Sequence, residues 1–148
     1  MTRSAALFVA GIIGLVACAR GDSSGWPPAG EPIACAPMFE APTGFEALGS
    51  FEEEYPDHVG VRLGYRDQEG RELHAFAGIP GEFGEGLPDS GDVALTHGRT
   101  GDLFGHGNVW VLVWDEGGPC DPRAVLANGF DRRSFLACLE RSGIVAPE

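Results

Sequence analysis

An uncharged stretch near the N-terminus constrains this chain more than any other feature of its sequence. Residues 5–19 contain no charged side chain, and Arg3 is the only charged side chain before them. Fifteen residues fall short of the roughly 20 that a helix needs to cross a bilayer. A basic start followed by an apolar segment of this length is typical of a secretory signal peptide. We therefore expect the folded part to lie downstream, outside the cytoplasm.

The end of this segment predicts a lipid anchor. The sequence Leu-Val-Ala-Cys at residues 15–18 resembles the lipobox of bacterial lipoproteins, whose cysteine accepts a diacylglycerol thioether before cleavage. The resemblance implies a lipoprotein signal peptide over residues 1–17 and acyl chains such as palmitate on Cys18. Two or more chains would hold the protein at a membrane surface. Without lipidation of Cys18, the same segment predicts ordinary secretion, with cleavage before Arg20.

Composition divides the remaining chain into a tether and one domain. Residues 18–31 are rich in Gly, Ser and Pro, which is typical of a linker. Residues 32–148 are long enough for a single globular domain. The 10 basic residues, all arginine, face 22 acidic ones and give a net charge of −12. Because that charge repels polyanions, nucleic acid is excluded as a partner.

The cysteines indicate an oxidising compartment. After Cys18, the chain contains Cys35, Cys120 and Cys138, so these three can form at most one disulfide with each other. Cys35 and Cys120 lie in Pro-containing loop sequence, whereas Cys138 falls within a helical pattern. We expect a Cys35–Cys120 disulfide and a buried free thiol at Cys138. Pairings that include Cys138 stay open.

Alternating apolar residues predict a β-hairpin over residues 59–79. Its two apolar sets share one face in a single register. In that register Arg66 lies opposite Glu72 on the other face, a favourable cross-strand pair. The apolar pairs that define the register are Tyr65–Leu73, Leu63–Ala75 and Val61–Ala77.

Three further strands are expected, at residues 93–96, 109–114 and 123–127. The second is apolar throughout, which indicates a central strand. We expect residues 79–92 to form a loop and a Gly-rich turn to follow residue 96.

A helix is predicted near the C-terminus, with Asp131 as its N-cap and Gly143 as its C′ residue. Phe135, Leu136 and Leu139 form its apolar stripe. The predicted fold class is therefore α+β: a mainly antiparallel sheet of about five strands with this helix packed on it.

The later half resembles a unit found in other exported proteins. Trp-Val-Leu-Val-Trp-Asp-Glu-Gly at residues 110–117 is followed by a returning strand and a short helix. This order is similar to extracytoplasmic sensor domains of anti-sigma factors and to lipoprotein-carrier proteins. The resemblance implies an apolar ligand site between sheet and helix. Its lining would be Trp110, Leu112, Trp114 and Phe135.

The sequence contains no motif of a known catalytic site. It has neither a Gly-x-Ser-x-Gly elbow nor a His-Glu-x-x-His pair. His97, Asp102 and His106 would form a metal site only if the Gly-rich turn brought them together. We expect no catalytic residue, no metal and no cofactor. A second acidic group could gather around calcium instead of being solvated, and it consists of Glu82, Glu85, Asp89 and Asp92. The run of three glutamates at residues 52–54 is expected to form a solvated face.

These observations predict a lipid-anchored protein of the cell envelope that faces away from the cytoplasm. We expect a non-enzymatic accessory or binding module that acts on an envelope protein partner. The alternative is a carrier or sensor for an apolar ligand, and a small metal-dependent hydrolase is a third hypothesis.

Overall fold

Sheet structure dominates the computed structural model, which describes residues 30–37 and 39–148. Within that part, eight strands form one mixed sheet and a single α-helix follows it. The α+β prediction is confirmed in this coarse form, but the expected five strands were too few. The strands are β1 (Ile33–Ala34), β2 (Phe45–Glu54), β3 (His58–Asp67), β4 (Glu72–Ala77), β5 (Asp89–Ala94), β6 (Thr100–His106), β7 (Val109–Trp114) and β8 (Arg123–Asn128), and the helix α1 is Arg132–Arg141.

The sheet ends in β2 on one side and β5 on the other. Its order is β1-β3-β4-β8-β7-β6-β5, and β2 pairs with β3 as well. Val59 of β3 pairs with Ala34 of β1 and with Glu54 of β2. Because a strand residue has two edges, β1 and β2 lie on opposite sides of β3, with β1 in line with β4. Only the short β1–β3 pair is parallel.

The predicted hairpin forms in the predicted register. Tyr65 pairs with Leu73, and Arg66 pairs with Glu72. The guanidinium of Arg66 donates from Nε to Glu72 Oε1 at 3.1 Å. The side chain of Leu73 is fully buried, so the apolar face chosen from the sequence is the face that packs into the core.

The Gly-rich segment expected to be a turn is strand β6. Its glycines make room for large side chains of the neighbouring strand β7. A Cβ on Gly105 would lie 2.1 Å from Cε3 of Trp110, and one on Gly101 would lie 2.9 Å from Cδ1 of Leu112. These glycines are therefore packing positions within a strand, where no larger residue fits.

The sequence analysis also missed β1 and β2, because neither shows a regular alternation of apolar and polar side chains. β1 is only two residues long. In β2 the register shifts between Ala47 and Gly49, and Gly49 has a φ of 137°. Because a β-bulge interrupts the alternation of side chains, this strand has no continuous period of two. The strand expected at residues 93–96 begins earlier, at Asp89, and ends at Ala94.

One face of the sheet packs against α1 and the segment before β2. Phe135, Cys138 and Leu139 of the helix are fully buried there. Phe39 from the segment at residues 35–44 packs against the ring of Tyr65, with ring centroids 5.5 Å apart. These side chains belong to one large apolar cluster that reaches across the sheet from β4 to β5.

The opposite face is covered in part by the loop at residues 79–88. The ring of Phe83 packs against Phe76 with centroids 4.9 Å apart. Gly84 lies so close to Phe104 that a Cβ there would be 2.6 Å from its ring. Val111 is fully buried although it points away from the main core, as expected for the centre of a sheet that is covered on both sides.

The helix has the predicted ends. Asp131 Oδ1 accepts a hydrogen bond from the backbone N–H of Ser134 at 2.7 Å. Gly143 adopts a φ of 76° and donates to the carbonyl of Glu140 at 3.0 Å, while Ile144 donates to that of Leu139 at 3.0 Å. This pair of bonds is a Schellman motif, so the capping predictions are confirmed.

Candidate functional site

Strand β2 is open to solvent along most of its length. Nine of its ten residues are exposed. Leu48 and Phe51 expose 45% and 55% of their surface, and Ile33 of β1 exposes 53%. These three are the exposed large apolar side chains in the described part of the chain. An edge strand also presents unpaired backbone N–H and C=O groups, so β2 combines free hydrogen-bonding groups with apolar side chains.

The charge of β2 is entirely negative. The strand carries Glu46, Glu52, Glu53 and Glu54 and no basic residue. Among the described residues, none of these glutamates takes part in an ion pair. Arg66 lies opposite Glu46 but forms its ion pair with a glutamate of β4. The negative charge of β2 is therefore available to a partner.

Alternation assigns the side chains of β2 to two faces. Glu52 lies opposite Val61, which is buried beside the two loop cysteines. Phe51 lies opposite Arg62 and therefore points to the other face. The guanidinium of Arg62 lies 6.0 Å from the ring centroid of Phe76, so this second face is aromatic and cationic.

At the other edge of the sheet, the C-terminal segment covers the end of β5 and the residues just after it. Leu95, just after β5, forms a β-bridge with Val145. The backbone N–H of Ala146 donates to the carbonyl of Ala94, and that of Thr96 to the carbonyl of Ile144, both at 3.0 Å. The C-terminal segment thus occupies hydrogen-bonding groups that would otherwise be open at this edge.

A groove of about 610 Å³ runs between β5 and α1. Its apolar lining includes Val93, Leu136 and Val145, and Arg132 and Arg133 lie at its helix side. It is open to solvent, unlike an enclosed ligand cavity. It has room for a small molecule between sheet and helix.

The residues predicted to line a ligand site are packed in the core. Leu112 and Phe135 are fully buried, and Trp110 and Trp114 expose 8% and 7% of their surface. Both indole N–H groups have local acceptors, the carbonyl of Gly107 at 3.0 Å and a carboxylate of the following turn at 3.2 Å. The cavity beside Trp114 has a volume of about 30 Å³, enough for one or two water molecules.

His58 forms a polar cluster at the start of β3. Its Nδ1 lies 2.6 Å from Asp57 Oδ1 and its Nε2 lies 2.7 Å from the carbonyl oxygen of Gly78. Both neighbours are hydrogen-bond acceptors, an arrangement that favours the doubly protonated imidazolium form of the ring. The Asp57 carboxylate, followed by the Gly78 carbonyl, raises the pKa of His58, while burial opposes the shift. The ring stacks on Tyr55 with centroids 4.7 Å apart.

The structure separates the residues of the hypothetical metal site. His97 lies in the turn before β6, and His106 is the last residue of that strand. Six residue steps of extended strand cover about 20 Å, so the two imidazoles lie toward opposite ends. No group of three or more metal-binding side chains occurs among the described residues. The four acidic residues named above as possible calcium ligands therefore do not form such a group.

Cys35 and Cys120 lie at disulfide distance. Their sulfur atoms are 2.06 Å apart and their Cα atoms 5.5 Å apart, which is compatible with the predicted bond. Asp121 shapes the turn beside Cys120 by accepting backbone hydrogen bonds at 2.7–2.9 Å. Cys138 is fully buried, and burial raises the pKa of its thiol, as expected for a packed thiol that is not a nucleophile.

The predicted membrane anchor lies outside the described residues. This applies to the signal peptide at residues 1–17, to Cys18 and to residues 18–29 of the tether. In the part that the structure describes, no helix has the length and apolar character needed to cross a membrane.

Comparisons with known proteins do not assign the chain to a family. No protein-family model, no curated protein and no solved structure matches it. The resemblances to lipoproteins and to sensor or carrier domains stay predictions from the sequence.

Sequence reasoning missed the β2 surface and the His58 cluster. Residues 52–54 suggested only a solvated acidic face, and they are exposed as expected. One signal was present: Phe51, a residue type that is most often buried, stands directly before three glutamates. The partners of His58 come from another strand end and from its own neighbour, so no spacing motif marks them.

Proposed function

We propose that this chain is a lipid-anchored, non-enzymatic binding module on the extracytoplasmic side of a bacterial cell envelope. The lipobox-like residues 15–18 and the uncharged segment before them support the anchor. Acyl chains on Cys18 would hold the domain at the membrane surface through a tether of Gly, Ser and Pro.

The cysteine geometry supports export. Cys35 and Cys120 lie at bonding distance although 85 positions separate them in the sequence. A disulfide between them would persist in an oxidising compartment and be reduced in the cytoplasm. The pair would join the segment before β2 to the turn before β8, which stabilises the side of the sheet that carries β2.

The open strand β2 is the observation that carries the binding role. It has an unpaired edge in the described structure, two exposed apolar side chains and unpaired glutamates. Exposed apolar groups on a long edge strand favour association with another chain. A protein partner fits this surface better than a small molecule, because a flat strand does not enclose a ligand.

Metabolic labelling tests the anchor. The full chain, expressed in a bacterium with a lipoprotein pathway, should incorporate an alkyne-tagged palmitate. The Cys18→Ala variant should lose the label, whereas Cys138→Ala should keep it. Labelling that survives Cys18→Ala, or is absent from the parent chain, would refute the anchor.

In-cell cross-linking tests the binding role. A photoreactive phenylalanine at position 51 should cross-link to an envelope protein, because Phe51 lies on the proposed surface. The same group at Glu140, which is exposed on α1 at the opposite face of the sheet, is the matched control. Equal products at both positions, or none at position 51, would argue against the binding role.

The groove between β5 and α1 favours a second candidate, the carrier or sensor of an apolar ligand. Its volume of about 610 Å³ falls in the range of small-molecule sites. Native mass spectrometry of the exported chain distinguishes the two. A reproducible added mass that disappears in a Leu136→Glu variant would favour the carrier, and a ligand-free mass would favour the binding module.

A further inference from the structure

We propose that β2 accepts an extended, arginine- or lysine-rich segment of its partner as an additional strand of the sheet. This inference rests on the proposed function, because it names the chemistry of the partner. Strand addition uses backbone hydrogen bonds for affinity and alternate side chains for specificity. The proposed site is the free edge of β2 together with its side chains at positions 46–54.

The backbone of β2 is suited to this role. The strand has ten residues, long for an edge strand, and in the described part of the chain it pairs with β3 alone. It contains no proline, the residue that would block pairing at an edge. Its bulge lies between Ala47 and Gly49, which leaves residues 50–54 as a regular, pairing-competent segment.

The negative charge of β2 indicates which side chains its partner should carry. Glu52, Glu53 and Glu54 occupy consecutive positions, so they point alternately to both faces of the strand. None of them is neutralised by an ion pair among the residues the structure describes. Opposite charges directly across a strand pair stabilise it, and like charges destabilise it. A segment with basic residues opposite positions 52–54 therefore fits this edge.

The same charges disfavour a second copy of this chain as the occupant. A parallel, in-register pair would place each glutamate of β2 opposite its own copy. An antiparallel pair with Ser50 opposite Ser50 would place Glu46 opposite Glu54. Because β2 has no basic residue, self-pairing brings together like charges without compensation.

The apolar side chains extend the pattern expected of the partner. Phe51 and Leu48 are exposed beside the acidic run. A partner residue opposite Phe51 gains most if it is β-branched or aromatic, because such cross-strand pairs are favourable. The expected segment thus has an apolar, β-branched portion followed or preceded by two or three basic residues. Both chain directions are compatible with this pattern.

A peptide-binding experiment on the full chain in mild detergent tests the inference. The probe is a capped, fluorescent peptide of sequence Thr-Val-Thr-Val-Arg-Lys-Arg, with binding measured by fluorescence anisotropy. One control peptide carries N-methyl groups at alternate residues, which remove backbone donors but keep the charge. We expect it to bind at least about tenfold more weakly. In hydrogen exchange, the parent peptide should protect amides in β2.

Protein variants separate strand addition from general attraction. Glu52→Arg with Glu54→Arg should weaken binding about tenfold, because two attractive pairs become repulsive. Glu82→Arg with Glu85→Arg changes the net charge equally in an exposed loop and should change binding less than about twofold. The comparison excludes a contribution from net charge alone.

Four outcomes would overturn the inference. They are equal binding of the N-methylated peptide, equal weakening by both charge-reversed proteins, protection outside β2, and concentration-dependent protection of β2 without peptide. The last outcome would identify a second copy as the occupant. If the peptide does not bind while a photoreactive group at position 51 still cross-links to an envelope protein, only the chemistry assigned to the partner is wrong. If position 51 cross-links to nothing, the proposed function fails.

Discussion

The two edges of the sheet differ in how much of each is covered by the chain itself. At the β5 edge, the C-terminal segment forms a bridge through Val145 and accepts and donates backbone hydrogen bonds around residues 94–96. At the β2 edge, no strand of the described residues pairs with the outer side. The first edge buries Ile144 and Val145, whereas the second exposes Phe51 and Leu48.

This difference distinguishes side chains that stabilise the fold from side chains that are free to bind another molecule. Side chains that close an edge bury apolar area and stabilise the fold. Side chains on an open edge contribute little to the fold and remain free for another molecule. In the described part of the chain, the C-terminal segment covers the β5 edge at residues 94–96, whereas β2 has no such cover on its outer side and exposes large apolar side chains there. Substitutions at the two edges should therefore have different effects.

The largest effect is expected from the cysteine pair that supports the β2 side. Cys35→Ala with Cys120→Ala opens a loop of 85 positions, and the chain-entropy model gives a loss of about 4–5 kcal/mol in the free energy of unfolding. Urea denaturation of the oxidised protein and the double variant measures it. The control Cys138→Ala leaves the pair intact and should cost about 1 kcal/mol. Equal losses in both variants would contradict a stabilising bond.

The closed edge should be the next most sensitive. Ile144→Ala removes a buried side chain and should lower the free energy of unfolding by about 2–4 kcal/mol. The same substitution at the exposed Ile33 should change it by less than about 0.5 kcal/mol. Amides of β5 should also exchange faster in the Ile144→Ala variant. Similar losses at both positions would remove the distinction between the edges.

The sequence predicted those parts of the fold in which local pattern and packing agree. The hairpin register followed from alternation, since a shift by one residue would have placed Tyr65 against Glu72. The helix ends followed from Asp131 and Gly143, which act through bonds to nearby residues. β6 was missed because Gly101 and Gly105 are small to accommodate side chains from another strand, and no local rule reports such a contact.

The candidate site was harder to predict because it depends on β2 lying at the edge of the sheet, without a strand on its outer side in the described part of the chain. Glu52, Glu53 and Glu54 were correctly expected to be exposed, but the sequence does not reveal that they lie on a strand. Residues 52–54 are part of a strand because β2 pairs with β3, and this pairing continues past a bulge between Ala47 and Gly49. The raised pKa of His58 likewise depends in part on the carbonyl of Gly78, which lies 20 positions away and is brought near by the sheet.

Because the pKa of His58 is raised, we expect the stability of the β2 side of the sheet to depend on pH. Asp57 and the Gly78 carbonyl raise the pKa of His58 in the folded protein. A raised pKa contributes stability that is complete below the unfolded value of about 6.5 and is lost as pH rises through the folded value. The pH-dependent part of the urea midpoint should therefore decrease above about pH 6.5.

The His58→Gln variant provides the comparison for this prediction. Gln does not titrate, so its urea midpoint should vary less over the same pH range. Hydrogen exchange should show the pH effect in β2 and β3, whose pairing begins beside His58, and much less in β5. A wild-type midpoint that rises with pH, or a variant with the same profile as the wild type, would exclude the imidazolium.

The smallest effect on stability is expected at the proposed binding surface. Phe51→Ala should change the free energy of unfolding by less than about 0.5 kcal/mol, because the ring is mostly exposed. Phe135→Ala, the same substitution in the core, should cost about 3–5 kcal/mol. Only Phe51→Ala should weaken peptide binding while the protein remains folded. A large loss of stability at Phe51 would mean that β2 is needed for the fold, and its exposure would then be no argument for a partner.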